Sequence, residues 1–171
     1  MPLTRIQSLG ITDGTIVAGD IASGAITAAK LASGVGGKVL QVSSLAITSG
    51  LQNIATDSYT DITGLSITIT PSSTSSKIIL LTNVQSRNPD AGNGWGIRFV
   101  RGATNIYTGT VDYTIFAPTG NDRRRSSFVF IDSPNTTSAT TYKVQAATYA
   151  SGTINFNDGD VSTFYLMEIA G

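Results

Sequence analysis

Short segments in which apolar and polar residues alternate occupy most of the chain from Lys38 onward. Alternation with a period of two is typical of strands that bury one face. The stretches between these segments are rich in Gly, Pro, Asn, Asp and Ser, which favour turns. The pattern predicts eight or nine strands, near residues 38–45, 64–70, 77–84, 96–102, 105–109, 112–117, 126–132, 141–149 and 162–169.

This strand spacing indicates an all-β fold, an antiparallel β-sandwich that is most simply jelly-roll-like, over residues 38–171. The composition agrees, because 19 Ser and 24 Thr accompany few helix-forming residues such as Glu, Lys, Met and Gln. A body of this length buries enough surface to fold without disulfides.

The first part of the chain follows another pattern, since apolar residues recur at intervals of five. They are Ile6, Ile11, Ile16, Ile21, Ile26 and Leu31. A period of five fits neither a helix nor a flat strand, so each pentad must contain a bend. A few pentads cannot bury their isoleucines alone, so we expect partners from other chains or a larger assembly.

We divide the chain accordingly into an extended pentad-repeat arm for attachment (residues 1–33, the N-terminal arm), a glycine hinge (residues 34–37) and the β-sandwich body (residues 38–171). The hinge is predicted from Gly34, Gly36 and Gly37, which remove side-chain restraint on the backbone. Two alternatives for the arm stay open, namely a flexible leader and a helical turn within residues 25–33.

Charge and composition exclude several function classes. Eleven basic and eleven acidic residues give no net charge, which disfavours nucleic-acid partners and anionic membranes. The chain has no apolar run of membrane-spanning length and no signal-peptide pattern, so neither membrane insertion nor conventional secretion is expected.

The absence of Cys and His removes thiolate and imidazole zinc sites as well as His-based nucleophile relays. Ten Asp and a single Glu leave only Asp-based acid/base chemistry or calcium binding open. Nothing in the sequence pairs any two of these carboxylates. We therefore expect no catalytic residues, no cofactor and no enzymatic activity.

The run Arg123, Arg124 and Arg125 is the first candidate ligand contact. Three guanidinium groups near a turn can bind anionic sugars or phosphates. They can also protect a strand edge from pairing, with Asp122 neutralising part of their charge, and this second interpretation is favoured.

Two further motifs have a chemical and a structural interpretation. Asn155, Asn157, Asp158 and Asp160 resemble part of a calcium loop, but they lack a later bidentate Glu and fit an ordinary hairpin turn, so no metal is expected. Trp95 lies in the glycine-rich segment DAGNGWG. An exposed indole there would bind sugars or partner proteins, whereas a core or subunit-interface position is the favoured alternative.

Four segments carry a family resemblance: ITDGTIVAGDIASGAITAAKLASG, GGKVLQV, TDITGLSITITPSSTSSKIILL and TFYLMEIAG. They resemble tail-fibre-type virion proteins of aquatic bacteriophages. The resemblance implies a trimeric, β-rich structural protein on the surface of the phage particle, attached by its N-terminal segment, and it implies no catalytic residue.

Two functions follow from this resemblance. In one, the body is a fibre knob whose loops recognise a host-surface glycan or protein. In the other, the chain is a capsid decoration (cement) protein whose arm binds neighbouring capsid subunits.

Overall fold

The structure is a computed structural model that describes residues 14–27, 30, 38–48, 50–111 and 114–171. The chain divides into two compact units, Met1–Lys38 and Val39–Gly171. The second unit contains eleven strands in two antiparallel sheets.

Sheet A contains β1 (Val39–Ile47), β2 (Gln52–Ile54), β4 (Lys77–Asn88), β8 (Asp122–Asp132), β10 (Ile154–Phe156) and β11 (Ser162–Ile169). One edge of β4 pairs with β8 along its whole length. Its other edge pairs first with β11 and then with β10. Strand β1 extends the sheet beyond β11, and β2 extends it beyond β10.

Sheet B contains β3 (Thr60–Ile69), β5 (Asn93–Arg101), β6 (Thr104–Thr108), β7 (Ile115–Ala117) and β9 (Thr140–Thr148). Strand β9 lies between β3 and β5, and the far edge of β5 pairs with β6 and β7. The 3-10 turns Ala18–Asp20 and Tyr149–Ser151 complete the regular elements of the described residues.

The strand order is that of a jelly roll. The strands of five or more residues are β1, β3, β4, β5, β6, β8, β9 and β11, and they are numbered one to eight here in chain order. Sheet A has them in the order β1-β11-β4-β8, which is first, eighth, third and sixth. Sheet B has the order β3-β9-β5-β6, which is second, seventh, fourth and fifth, and together these orders form two interleaved Greek keys. The predicted all-β antiparallel sandwich is confirmed.

All nine predicted strands have a counterpart among the observed ones, although their ends differ. Strands β2 and β10 were not predicted, because three residues are too few to show an alternation. The strand predicted at 112–117 is reduced to Ile115–Ala117, and residues 112 and 113 lie outside the described residues.

The inner faces of the two sheets form one hydrophobic core. Trp95 is 1% exposed, and its ring packs edge-to-face on Phe156 at 5.1 Å and on Phe128 at 5.8 Å between ring centroids. Phe99 stacks on Phe130 and Phe164 from the other sheet. Such aromatic pairs stabilise the fold beyond their buried area.

Two clusters of hydrogen-bonded polar side chains connect elements of the two sheets. Asp132 of sheet A accepts hydrogen bonds from Tyr142 (2.7 Å) and Arg101 (2.8 and 2.9 Å) of sheet B. The side chain of Glu168 is buried and accepts hydrogen bonds from Gln41 and from the backbone and hydroxyl of Ser72. These contacts connect the turn after β3 to β1 and β11.

Glu168 provides a test of this second cluster. Burial alone raises the pKa of its carboxyl, but hydrogen bonds from Ser72 and Gln41 outweigh burial and hold the pKa at about 2, below the ordinary 4.5. Because the folded-state pKa is lowered, Glu168 stabilises the fold above pH 4.5, and this contribution disappears as the pH falls towards 2.

We expect Glu168→Gln to lower the free energy of unfolding at pH 7 by about 1–3 kcal/mol, since the amide cannot replace a buried carboxylate that accepts several hydrogen bonds. The loss of stability between pH 4.5 and 2 should also become shallower in the variant. Urea titrations at several pH values measure both effects. Asp57→Asn, at an exposed turn, is the control, and equal pH profiles for Glu168→Gln and the wild type would contradict the assignment.

Candidate functional site

The arm contains one turn in each described pentad. The backbone NH groups of Asp20, Ala25 and Lys30 donate to the carbonyl oxygens of Val17, Ala22 and Thr27, each at 2.9 Å. Every accepting residue directly follows a pentad isoleucine, so the turns recur with the same period of five. The expected bend in each pentad is confirmed for these three.

The glycines of the arm have two roles. Gly14 and Gly24 have φ of 79° and 75°, the left-handed region that glycine adopts without strain. Gly19 lies instead within the 3-10 turn Ala18–Asp20, where the carboxylate of Asp20 accepts a 3.0 Å hydrogen bond from the backbone of Val17.

The described pentad isoleucines are exposed. Ile16, Ile21 and Ile26 expose 55%, 41% and 54% of their surface. Ile6, Ile11 and Leu31 lie outside the described residues, as does the glycine hinge at 34–37. The turns therefore present aliphatic side chains at regular intervals, which is surface that a partner could bury.

The arginine run lies on β8, at the edge of sheet A. Arg123 pairs with Asp158 at 3.1 Å, and Arg87 on the neighbouring strand reaches the same carboxylate at 3.2 Å. Arg125 binds Asp160, and Arg124 binds Asp122 on its own strand at 2.6 Å. All three guanidinium groups of the run therefore contact carboxylates of this chain.

A cleft of about 310 Å³ is lined by the three arginines of the run, by Asp158 and Asp160, and by Gln85 and Gly159. The hydrogen bond from Arg125 lowers the pKa of Asp160, so its charge persists beside the guanidinium. Four arginines and three aspartates leave one positive charge in this cluster. The arrangement fastens the loop between β10 and β11 to sheet A, and it offers little free charge to an anionic ligand.

The proposed calcium-type ligands do not converge. Asn155 donates to Asn53 at 2.6 Å, the side chain of Asn157 is buried, and Asp158 and Asp160 bind arginines. Within the described ranges, no three acidic side chains lie close enough together to hold a metal ion.

Trp95 is a core residue, which removes it from the candidate ligand contacts. Its indole NH donates to the hydroxyl of Ser86 at 3.1 Å. The glycines beside it serve the other face of β5, because a Cβ at Gly94 would lie 2.4 Å from the carbonyl oxygen of Ile115. A Cβ at Gly96 would lie 2.9 Å from the backbone of Val111. The glycine spacing therefore reflects the close approach of β7 to Gly94 and of Val111, which precedes β7, to Gly96.

An apolar surface on the outer face of sheet A was not predicted from the sequence. Two rows of side chains cross four strands there, namely Val42, Met167, Ile79 and Ile131 in one row and Ser44, Tyr165, Leu81 and Val129 in the next. We call them the apolar rows. The signal in the sequence is a loss of alternation, since Ile78, Ile79, Leu80 and Leu81 are all apolar.

Comparisons with known proteins give only remote structural matches. No protein-family model matches the chain, and no curated protein sequence matches it. A chain of infectious bursal disease virus, Gx strain, is 12% identical with a TM-score of 0.46, over 77% of this chain and 37% of that one. A second, from T=1 particles derived from that virus, is 11% identical with a TM-score of 0.45, over 78% and 37%.

Dimeric latent PorU from Porphyromonas gingivalis matches at 12% identity and a TM-score of 0.36, over 70% of this chain and 12% of PorU. This chain thus spans little more than a third of the viral chains and a smaller part of PorU. No helix in the described part of the chain is long and apolar enough to cross a membrane.

The ion pairs of the cleft give a second prediction. We expect Asp158→Asn to lower the free energy of unfolding by about 1 kcal/mol, because Asp158 joins two arginines of different strands to one loop. Amide hydrogen exchange should also become faster in residues 157–161. Asp160→Asn is the matched variant. It breaks a single ion pair, which is more exposed than those of Asp158, so its effect should be smaller. Unchanged exchange in Asp158→Asn would show that the ion pairs do not hold the loop.

Proposed function

We propose that this chain is a structural protein of a bacteriophage virion, a short tail-fibre or fibre-knob protein on the surface of the particle. The arm attaches it to other virion proteins, and the sandwich is exposed for adhesion to a host-surface glycan or protein. The observation that carries the proposal is the regular array of turns with exposed isoleucines in the arm.

The arm supports an attachment role because its apolar side chains need a partner. Ile16, Ile21 and Ile26 are each more than two-fifths exposed, and fully burying one such side chain contributes about 1.5–3 kcal/mol. The body has a core of its own, so it does not need the arm to bury its strands. The resemblance of the arm and of three body segments to tail-fibre-type proteins points the same way.

A homotrimer is part of the proposal. Several arms side by side would bury isoleucines that one arm leaves exposed, and closed cyclic symmetry provides such neighbours with a single kind of contact. Nucleic acid is not a partner in this proposal, since the chain carries no net charge, and neither is the membrane interior, since the sequence has no apolar run of spanning length.

A capsid decoration protein that stabilises the head lattice is the alternative. One observation favours it, because neither candidate ligand contact of the body is free. Trp95 is buried, and Arg123, Arg124 and Arg125 are paired with aspartates. A cement protein needs an arm and a body but no receptor site.

The attachment role is tested by charge substitutions in the arm. We expect the triple variant Ile11→Asp, Ile16→Asp, Ile21→Asp to stay folded but to be lost from particles, because each charge would enter a site built for an aliphatic side chain. Removing residues 1–36 should have the same result. Occupancy on purified particles, measured by quantitative mass spectrometry, is the readout.

A matched control puts three charges between the isoleucines. Ala18→Asp, Ala22→Asp and Thr27→Asp alter exposed arm positions and should leave occupancy close to wild type. Replacing Arg123, Arg124 and Arg125 should also leave occupancy unchanged. Normal occupancy of the truncated chain would place the attachment surface on the sandwich. Density for the protein at the tail or at the head lattice in a virion map separates the two candidate functions.

We also propose that the chain is not an enzyme. Asp61, Asp132, Asp158 and Asp160 are all bound by cationic side chains, which makes them poor general acids. Incubation with host polysaccharide should therefore release no oligosaccharides, as measured by chromatography. Sustained release that is abolished by one Asp→Asn substitution would overturn this part of the proposal.

A further inference from the structure

We infer that the apolar rows on the outer face of sheet A form an interface with another copy of this chain. This inference goes beyond the arm-mediated attachment proposed above, because it places a homotypic contact on the body. It depends on the position of the rows, the contrast between the two outer faces of the sandwich, and the charge around the rows.

The rows are continuous across four hydrogen-bonded strands. In the first row, Val42 on β1 pairs with Met167 on β11. Ile79 on β4 then pairs with Met167 on one side and with Ile131 of β8 on the other. The residues at the two ends of this row are exposed to solvent, Val42 at 57% and Ile131 at 56%. In the second row, Val129 is 62% exposed.

Where they carry the rows, β4 and β8 have the sequence of strands that are buried on both faces. In β4, Ile78 and Leu80 enter the core while Ile79 and Leu81 point outward. In β8, Phe128 and Phe130 point inward while Val129 and Ile131 point outward. Antiparallel sheets with one solvated face normally alternate apolar and polar residues, so this sequence indicates a sheet that is covered on its outer side.

The outer face of sheet B provides the contrast within the same molecule. Thr68 and Thr141 share a 2.7 Å hydrogen bond there, and Lys143 forms an ion pair with Asp61 at 2.9 Å. This face has the polar surface that hydration requires. Exposed aliphatic side chains are thus concentrated on one side of the sandwich, which is typical of an interaction surface.

The surroundings of the rows match the anatomy of a protein interface. At about 4.8 Å between strands and about 6.8 Å between rows, the rows cover roughly 19 Å by 14 Å, or roughly 270 Å². A standard interface buries about 800 Å² on each partner, so the rows suffice for its apolar centre. The next row, with Ala46, Thr163, Asn83 and Ser127, is mostly polar and fits the rim.

Charge favours a second copy as the occupant. The apolar rows contain no charged side chain, so copies of this face can meet around a threefold axis without placing like charges opposite one another. Arg87, Arg123 and Arg125 lie beyond them on β4 and β8 and are paired with Asp158 and Asp160, which leaves one positive charge there. The rows lack the cations that a nucleic acid needs, and the donors that they contain are the hydroxyl groups of Ser44 and Tyr165. The other six side chains are apolar, which favours an apolar protein surface as the complement.

The absence of cysteine from the sequence permits a direct test in the full-length chain. Val129→Cys introduces a single thiol in the second row, and Thr68→Cys introduces one on the outer face of sheet B. We expect oxidation at micromolar concentration to convert most of the Val129→Cys protein into disulfide-linked pairs, because copies meet at this face. Thr68→Cys should stay mostly uncrosslinked.

Light scattering on the same chains measures the assembly itself. The wild type should have about three times the mass of 17.8 kDa, and the double variant Leu81→Lys, Val129→Lys should shift towards a single copy. Thr68→Lys, Thr141→Lys is the matched control and should keep the wild-type mass. Far-UV circular dichroism verifies that each variant is folded, which is expected because Leu81 and Val129 are exposed.

Several outcomes would overturn the inference. A monomeric wild type, or a Leu81→Lys, Val129→Lys variant with wild-type mass, would show that no copy covers this face. If both lysine variants keep the wild-type mass and only the arm variant Ile11→Asp, Ile16→Asp, Ile21→Asp loses it, the arm alone holds the copies together. The particle-occupancy test is separate, so a failed attachment role and a failed sheet interface are distinguishable.

Discussion

The packing of sheet A on sheet B over one aromatic and aliphatic core is the constraint on which the rest of the structure depends. Trp95 stands at its centre, since its ring contacts Phe128 and Phe156 from the opposite sheet and its NH is bound by Ser86. Because this core fixes which side of every strand points inward, it also decides what each sheet presents to the outside. The outer face of sheet B carries the Thr68–Thr141 pair and the Lys143–Asp61 ion pair, whereas the apolar rows cross the middle of sheet A. The difference between the two outer faces is therefore set once the inward side of every strand is fixed.

Much of the fold could be predicted from the sequence because alternation is a local property. The long strands and the sandwich follow from it, and the jelly-roll order was the simplest topology for that number of strands. Strands β2 and β10 could not be predicted, because each forms by pairing with the other about a hundred residues away in the chain. The bend in each pentad was predictable too, because a period of five is incompatible with any unbent element.

The candidate sites were less accessible to sequence reasoning, and the reason is again distance along the chain. Asp122, the local partner of the arginine run, was predicted from the sequence, and it pairs with Arg124. The partner of Arg125 could not be predicted in this way, because Asp160 lies 35 residues away. Trp95 looked conspicuous among glycines, yet Gly94 and Gly96 are small because the backbone of Ile115 on β7 and of Val111 lies close to them. The apolar rows had a readable signal in the consecutive apolar residues of β4. Recognising them as a surface still required the register that sets four strands side by side.

The turns of the arm have a consequence for how such a segment changes length. Each of the three pentads with a described turn adds one hydrogen bond and one aliphatic side chain, and the next turn begins in the same relation to its isoleucine. Insertion or deletion of five residues therefore keeps all remaining isoleucines in phase, whereas a change of one or two residues shifts every isoleucine beyond it. The length of such an arm can therefore change in steps of one pentad without any change in the body.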